Sequence, residues 1–459
     1  MTRRVWPAWA RAADIIDLLR LSAPIALSRM SVMLMSFTDA VVLGLNTTNE
    51  LPLILNAWLP IGIAIAIGMG VLQGVQVISS ELMGTGQTAN TGRVWRRGMW
   101  TALVLGIVTT AVCWLVATPL YTTLRFDADT AAGAANATRI LSLGLVSHMV
   151  SVGCMLYLEA LRKPNMVTAV MLGAVAFNLV LDLYLVGGFF GGPTLGYEGV
   201  AWATTISRYA LTLALLVIIA FVTPGLKASE PAPKDEFRRQ TSVGLGATIS
   251  NVAEFSAFNF TFVIATWISL EAATAYGMAI QFIGVTFMAF LGIATATSVR
   301  VAEHFGRGDQ TGVRDASRLG VVVGVLLGAV LTVFMLAFND TLAALTVAVD
   351  PATGDDTAQA LLAILLLFAA LVILFDGLQV IGAYALRAQE IVWAPGAFHL
   401  GSYYLIMLPG AYWLGIVHGR GGQGVMEAVI LATLCAGILQ VGYLEYKTAR
   451  RTNDAPLQV

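Results

Sequence analysis

Asp39, Asn178, Asp182, Glu254 and Asp376 stand inside stretches whose other residues are almost all apolar. Holding a carboxylate at the depth of a lipid bilayer costs about 3 kcal/mol or more, so such groups face protein or a water-filled cavity and mark ion or substrate paths. Two carboxylates and an amide oxygen make a hard-oxygen cluster that can hold a sodium ion or share a proton. Buried close together, two carboxylates cannot both stay ionised without a counter-cation. Charge taken up and given back is the chemistry of a cation-coupled transporter, rather than of a channel or a membrane-bound enzyme.

Spacing groups these residues. At about 1.5 Å per helical residue, Asp39 lies roughly 27 Å along its span and Asp182 roughly 24 Å along another. Asn178 is one turn from Asp182 on the same face. These three are expected to meet in the first half of the chain. In the second half, Glu254 and Asp376 lie at roughly 20 and 17 Å. Asn251 precedes Glu254 by three residues and Gln379 follows Asp376 by three, which places an amide beside each acid. Asp39 is near a span end, where a plain helix-end role competes with function. Glu254 and Asp376 are near mid-bilayer, where the cost of charge favours function. Arg29 and Arg208 also fall within spans. Arg29 is near enough to one end to snorkel, whereas Arg208 is expected to be a static ion-pair partner.

Positioning these groups requires membrane helices. Of the 459 residues 58% are hydrophobic and only 12% charged, against about 25% charged in soluble domains. Twelve apolar spans are expected, roughly at 21–45, 53–80, 96–118, 136–160, 165–187, 197–222, 241–268, 272–300, 316–338, 358–386, 393–416 and 423–446. Pro24 in the first span removes a backbone hydrogen bond and allows a bend or hinge. No cleavable leader is expected, because the first apolar run continues as a full span. Trp6 and Trp9 read as interfacial anchors.

With the N-terminus in the cytoplasm, 21 of the 26 Lys and Arg residues fall in cytoplasmic segments, among them Arg3, Arg4, Arg93, Arg96, Arg97, Arg300, Arg307 and Lys447. Arg125, Arg139 and Arg420 are left outside, where the loops are acidic, as at Asp340, Asp350, Asp355 and Asp356. That asymmetry predicts an inner (plasma) membrane protein with both termini cytoplasmic.

The halves resemble each other. Glu81-x2-Gly-x-Gly86 matches Glu303-x2-Gly-x-Gly308, and Gly62 matches Gly284, at one offset of 222. Ala160-Leu-Arg162 matches Ala385-Leu-Arg387 at 225. The expected organisation is an N-terminal lobe over 1–222, a cytoplasmic linker over 223–240 and a C-terminal lobe over 241–459. An even number of spans separates equivalents, so the lobes are expected to be related by a pseudo-two-fold axis along the membrane normal, with substrate between them.

The remaining residues offer less. Cys113, Cys154 and Cys435 read as small apolar residues, and the four histidines show no metal spacing. His148 is expected to pack through a hydrogen bond rather than titrate. The near-neutral net charge of -1 implies no nucleic acid partner. No clustered nucleophile, base or phosphate-binding loop points to an enzyme.

Taken in order, Pro24, Asp39-x4-Gly44, Glu81-x2-Gly-x-Gly86, Asn178-x3-Asp182, Gly199-Val-Ala-Trp-Ala203, Glu254, Asp376-x2-Gln379 and Leu386-Arg387 resemble the multidrug and toxic compound extrusion (MATE) transporters over nearly the whole chain. The resemblance implies twelve helices in two six-helix lobes. It also implies export of organic cations against inward sodium or proton flow, by a monomer in the lipid bilayer with no cofactor beyond that ion. It assigns Asp39, Asn178 and Asp182, with Thr204 as a further ligand, to one cation cluster, and Glu254 and Asp376 to another. Arg29 departs from the family pattern, as does Val372, which stands where some relatives place an aromatic hydroxyl. A lipid-linked oligosaccharide flippase of the same superfamily is the alternative. Its pyrophosphate cargo would want several cavity arginines, where this chain offers Arg29 and Arg208 against four deep acids.

Overall fold

The computed structural model describes residues 11–47, 50–124, 126–346 and 356–454. Trp6, Trp9, Arg3, Arg4, Arg125, Asp350 and Asp355 lie outside the described residues. The described chain is helical throughout, with no strand among those residues. In hydrocarbon every backbone N–H and C=O must be satisfied within its own segment, and the helix does this.

The helices are α1 (Ala12–Asn46), α2 (Leu51–Gly84), α3 (Thr91–Thr123), α4 (Ala128–Leu143), α5 (Leu145–Ala160), α6 (Pro164–Leu185) and α7 (Tyr197–Val222). They continue with α8 (Glu236–Ile268), α9 (Leu270–Gly306), α10 (Gln310–Thr346), α11 (Thr357–Arg387), α12 (Trp393–Val417) and α13 (Gly421–Asp454). Ten of them are long and apolar enough to cross a membrane, and α4 with α5, bent by 45° at their junction, makes an eleventh span. The remaining helix, α8, has a charged start (Glu236, Arg238, Arg239) and falls short of that mark. The fourth span therefore begins earlier than the hydropathy suggests and breaks at Gly144, the residue between the two segments. Across Pro24, α1 runs on as one helix. Along α12 the coil widens to π-helix over Leu400–Met407 and again over Trp413–Val417.

Two compact units emerge. One is Leu27–Thr248; the other is Ile249–Val459 together with the chain up to Ala26. Each unit thus contains the first turns of a helix whose remainder belongs to the other. The boundaries Ala26 and Thr248 are separated by the repeat offset of 222 read from the sequence. Within the first unit Gly70 of α2 lies against the backbone of Thr248, where a side chain on the glycine would collide. Within the second, Gly292 of α9 lies in the same way against Ala26 and Ser22. Gly292 is Gly70 plus 222, so the two contacts are the same contact made twice. Small residues let helix backbones approach closely, and in lipid that packing drives association.

Residues 223–240, read as an exposed linker in sequence, are mostly exposed, and arginines of α3 hold them at several points. Arg96 donates to the carbonyls of Gly225 and Lys227, each at 2.8 Å, and Arg93 to those of Glu230 (2.9 Å) and Pro231 (3.2 Å). Arg93 also pairs with Glu236 at 2.7 Å, and Arg97 pairs with the same carboxylate.

Candidate functional site

Three buried polar clusters are built into these units. The first joins α1, α6 and α7 within Leu27–Thr248. Thr204 of α7 donates its hydroxyl to Asp39 Oδ2 at 2.9 Å. Asp182 and Asn178, one turn apart on α6, are the neighbouring side chains of Asp39. All four residues are buried, Asn178 and Asp182 completely. Asp39 Oδ1, both Asp182 carboxylate oxygens and both polar atoms of Asn178 are shielded from solvent without completing a hydrogen bond. Leaving one such group unsatisfied costs about 1–3 kcal/mol, so five of them together suit a ligand-binding site better than a finished network. Two acids, an amide and a hydroxyl supply oxygen of mixed charge. Among the described residues no group of three or more His, Cys, Asp or Glu side chains converges as a divalent-metal site would demand. The set suits a monovalent cation or a proton.

The second cluster lies on α8, α11 and α12 within the other unit. Gln379 donates through one nitrogen to both acids, reaching Glu254 Oε1 at 2.8 Å and Asp376 Oδ1 at 2.9 Å. Its carbonyl oxygen meets His399 Nε2 at 2.5 Å. That geometry fixes the tautomer. An amide whose nitrogen faces two carboxylates presents its oxygen to His399, so Nε2 carries the proton and Nδ1 is the bare nitrogen. His399 Nδ1 is buried without a partner. Tyr403 stacks on His399 at 5.4 Å between ring centroids and lies beside Glu254. The π-helical turn starting at Leu400 re-aims the side chains that follow it, and such turns recur at functional sites. Asp376 is closed off at 2% exposure, whereas Glu254 keeps part of its surface accessible. Asn251 stands apart: it is half-buried and its side chain makes no hydrogen bond among the described residues. Val372 is buried in the apolar core, and the aromatic hydroxyl near these acids comes from Tyr403.

The third cluster is one the sequence reading missed. Arg29 of α1 grips both carboxylate oxygens of Glu159 on α5, at 2.9 and 3.0 Å, and Gln76 of α2 adds a donor at 3.3 Å. Glu159 is wholly buried. Arg29 therefore does not snorkel and does not neutralise any of the four acids singled out above. Arg208, expected as an ion-pair partner, forms no ion pair among the described residues and instead lies over the Trp58 ring at 5.4 Å. His148 is half-buried with its Nε2 shielded and unpartnered, so the hydrogen bond expected of that nitrogen is missing. Glu159 escaped notice because it sits three residues before Arg162 at a span end, where an acid is ordinarily solvated. Arg29, a cation within a span and in need of a partner, was the available signal.

Similarity to known proteins agrees with this architecture. The chain is 36% identical over 452 residues to a probable multidrug resistance protein NorM of Caulobacter vibrioides, covering 96% of this chain and 94% of that one. It is 25% identical over 389 residues to the multidrug resistance protein PmpM of Pseudomonas aeruginosa, covering 82% and 79%. Its fold matches the crystal structure of the eukaryotic MATE transporter AtDTX14 with a TM-score of 0.84 at 14% identity, over 96% of this chain and 98% of that one. An outward-facing multidrug resistance MATE transporter matches with a TM-score of 0.86 at 16% identity, over 95% and 96%. The MatE family profile matches twice, over residues 24–184 and 247–413, one copy in each half of the internal repeat. A profile covering most of the chain, on the fold of MATE structures, makes this protein a multi-pass membrane transporter of the MatE family.

Proposed function

We propose that this protein is a multidrug efflux antiporter that exports organic, mostly cationic compounds in exchange for sodium ions or protons. One observation carries the reading: Asp39 and Asp182 are neighbouring buried side chains, with Thr204 and Asn178 around them and three of their four carboxylate oxygens without a hydrogen bond. A carboxylate pair in that state takes up a cation whenever one is accessible, and gives it up when charge is drawn elsewhere. Glu254 and Asp376, bridged by Gln379, form the second exchangeable seat. The cycle loads a cation from outside, discharges the organic cation, and reloads from inside, in the inner membrane with both termini cytoplasmic. The transporter acts as a monomer, without a cofactor.

Purified protein in liposomes loaded with ethidium tests this. A sodium gradient alone, then a proton gradient alone, identifies the coupling ion. Wild-type efflux rates in D39N, D376N and E254Q together would remove the assignment.

A further inference from the structure

Arg208 is a guanidinium at membrane depth with no carboxylate on it among the described residues. It is 6% exposed, and its Nη1 is buried without an acceptor. Such a charge is among the costliest groups a membrane protein can bury. Yet the fold holds it deliberately. The backbone carbonyl of Arg208 accepts from Ser147 at 2.7 Å and from Thr212 at 2.9 Å. The Trp58 ring faces the guanidinium, a cation–π placement. At the break between α4 and α5, a Cβ on Gly144 would come within 3.2 Å of Arg208 Cδ, so the glycine leaves room for the side-chain stem. Asp39 on α1 is the carboxylate whose charge acts on Arg208, and the guanidiniums of Arg208 and Arg29 both act on His148. Arg208 also follows Thr204, the donor to Asp39, by one turn of α7.

The charge balance then closes in one way. Asp39 and Asp182 together carry two negative charges when ionised, and Arg208 returns one positive charge through space. The remainder is a single negative charge. A guanidinium stays protonated throughout and so contributes a constant. Held off the carboxylates, it lowers their demand without occupying their oxygens.

Resting on the reading of this cluster as a cation seat, we infer that Arg208 is a built-in counter-charge that weakens the hold of the Asp39–Asp182 pair on its monovalent cation and so lets the cation leave. Arg208 acts through the carboxylates and is a positioning and tuning residue, not a ligand.

The test uses the full chain in ethidium-loaded proteoliposomes, with external sodium titrated at fixed pH and external protons titrated at fixed sodium in parallel. R208Q is expected to lower the half-saturating cation concentration about tenfold, the order given by one charge acting near a partly buried site. Its maximal efflux slows, because the bound cation leaves less readily. R208K behaves as wild type. D39N loses its cation dependence, and D39N/R208Q, which removes one charge of each sign, regains it. Should R208Q alone fail to accumulate, the double variant decides. The inference is overturned if R208Q changes only the maximal rate, or if D39N/R208Q stays as impaired as D39N. If D39N alone keeps wild-type cation dependence, the cation-seat reading itself falls, and this inference with it.

Discussion

Arg29 closes on Glu159 through both carboxylate oxygens, at 2.9 and 3.0 Å, from a position 130 residues away in the chain. The pair ties α1 to α5 with neither group open to solvent. Removing one partner strands the other charge in a dry interior, which costs about 3–5 kcal/mol, whereas replacing both by apolar residues of similar volume is close to neutral. E159A and R29A should each lower the thermal unfolding midpoint of the detergent-solubilised protein strongly. R29M/E159L should recover most of the loss. Equal losses in the singles and the double would show that packing, not the ion pair, holds this site.

Thr204 donates the one hydrogen bond that Asp39 receives from a hydroxyl. A bond to a charged acceptor contributes about 1.5–3 kcal/mol. T204V should raise the half-saturating concentration of the coupling cation about tenfold in dye-efflux titrations, while T204S stays near wild type. An unchanged half-saturation in T204V would place Thr204 outside the seat.

In the other unit, one amide nitrogen serves two acids, and His399 holds that amide in its orientation. Q379L should slow efflux more than H399L, because it strips the donor from Glu254 and Asp376 at once. H399Q, which still offers a donor to the amide oxygen, should retain more activity than H399L. Initial efflux rates at matched protein content decide the order; a reversed order would mean that His399 acts on the acids directly.

The close approach of α2 to the start of α8 gives a steric prediction. Gly74 lies against the Gln240 carbonyl and Gly244 against that of Val71, leaving no room for a Cβ at either glycine. Alanine normally favours a helix interior over glycine by about 1 kcal/mol. Here the neighbour is backbone and cannot turn aside, so G74A should destabilise the protein and reduce efflux. A stabilised G74A in a thermal-shift assay would contradict this contact.

Asp309, just ahead of α10, accepts from the Gly312 N–H at 2.9 Å, the Thr311 hydroxyl at 2.8 Å and His304 Nδ1 at 2.8 Å. Burial pushes its carboxyl up, but the Gly312 and Thr311 bonds and His304 more than offset this and leave it below its ordinary value. A carboxyl depressed in the folded state stabilises above its unfolded value of about 4 and loses that contribution as pH falls through the lower folded value. The difference in thermal stability between wild type and D309N should therefore be full near neutrality and shrink on acidification below about pH 4. A difference that does not vary with pH would exclude the linkage.

Most of the architecture was legible in the sequence because hydrocarbon allows few alternatives. The twelve runs correspond to helices or a bent helix pair, since a long apolar segment in lipid must satisfy its backbone internally. The offset of 222 showed where equivalent contacts would recur, and Gly70 with Gly292 honour it. Helical spacing put Asn178 beside Asp182 and Gln379 beside Asp376, because residues three or four apart share a face. Spacing within a single helix carries no information about its neighbours, however. Asn251 has the same interval to Glu254 as Gln379 has to Asp376, yet only Gln379 is turned inward to a partner.

What the chain determined alone was its membrane class, its span order, its repeat and the small set of polar residues too costly to be incidental. Tertiary structure decided which of those residues meet. It assigned Arg29 to Glu159, left Arg208 unpaired over Trp58, and brought His399 and Tyr403 from α12 to the acids of α8 and α11. Cost at membrane depth is a property of one residue and its surroundings in sequence, whereas the relief of that cost depends on helices brought together only by packing.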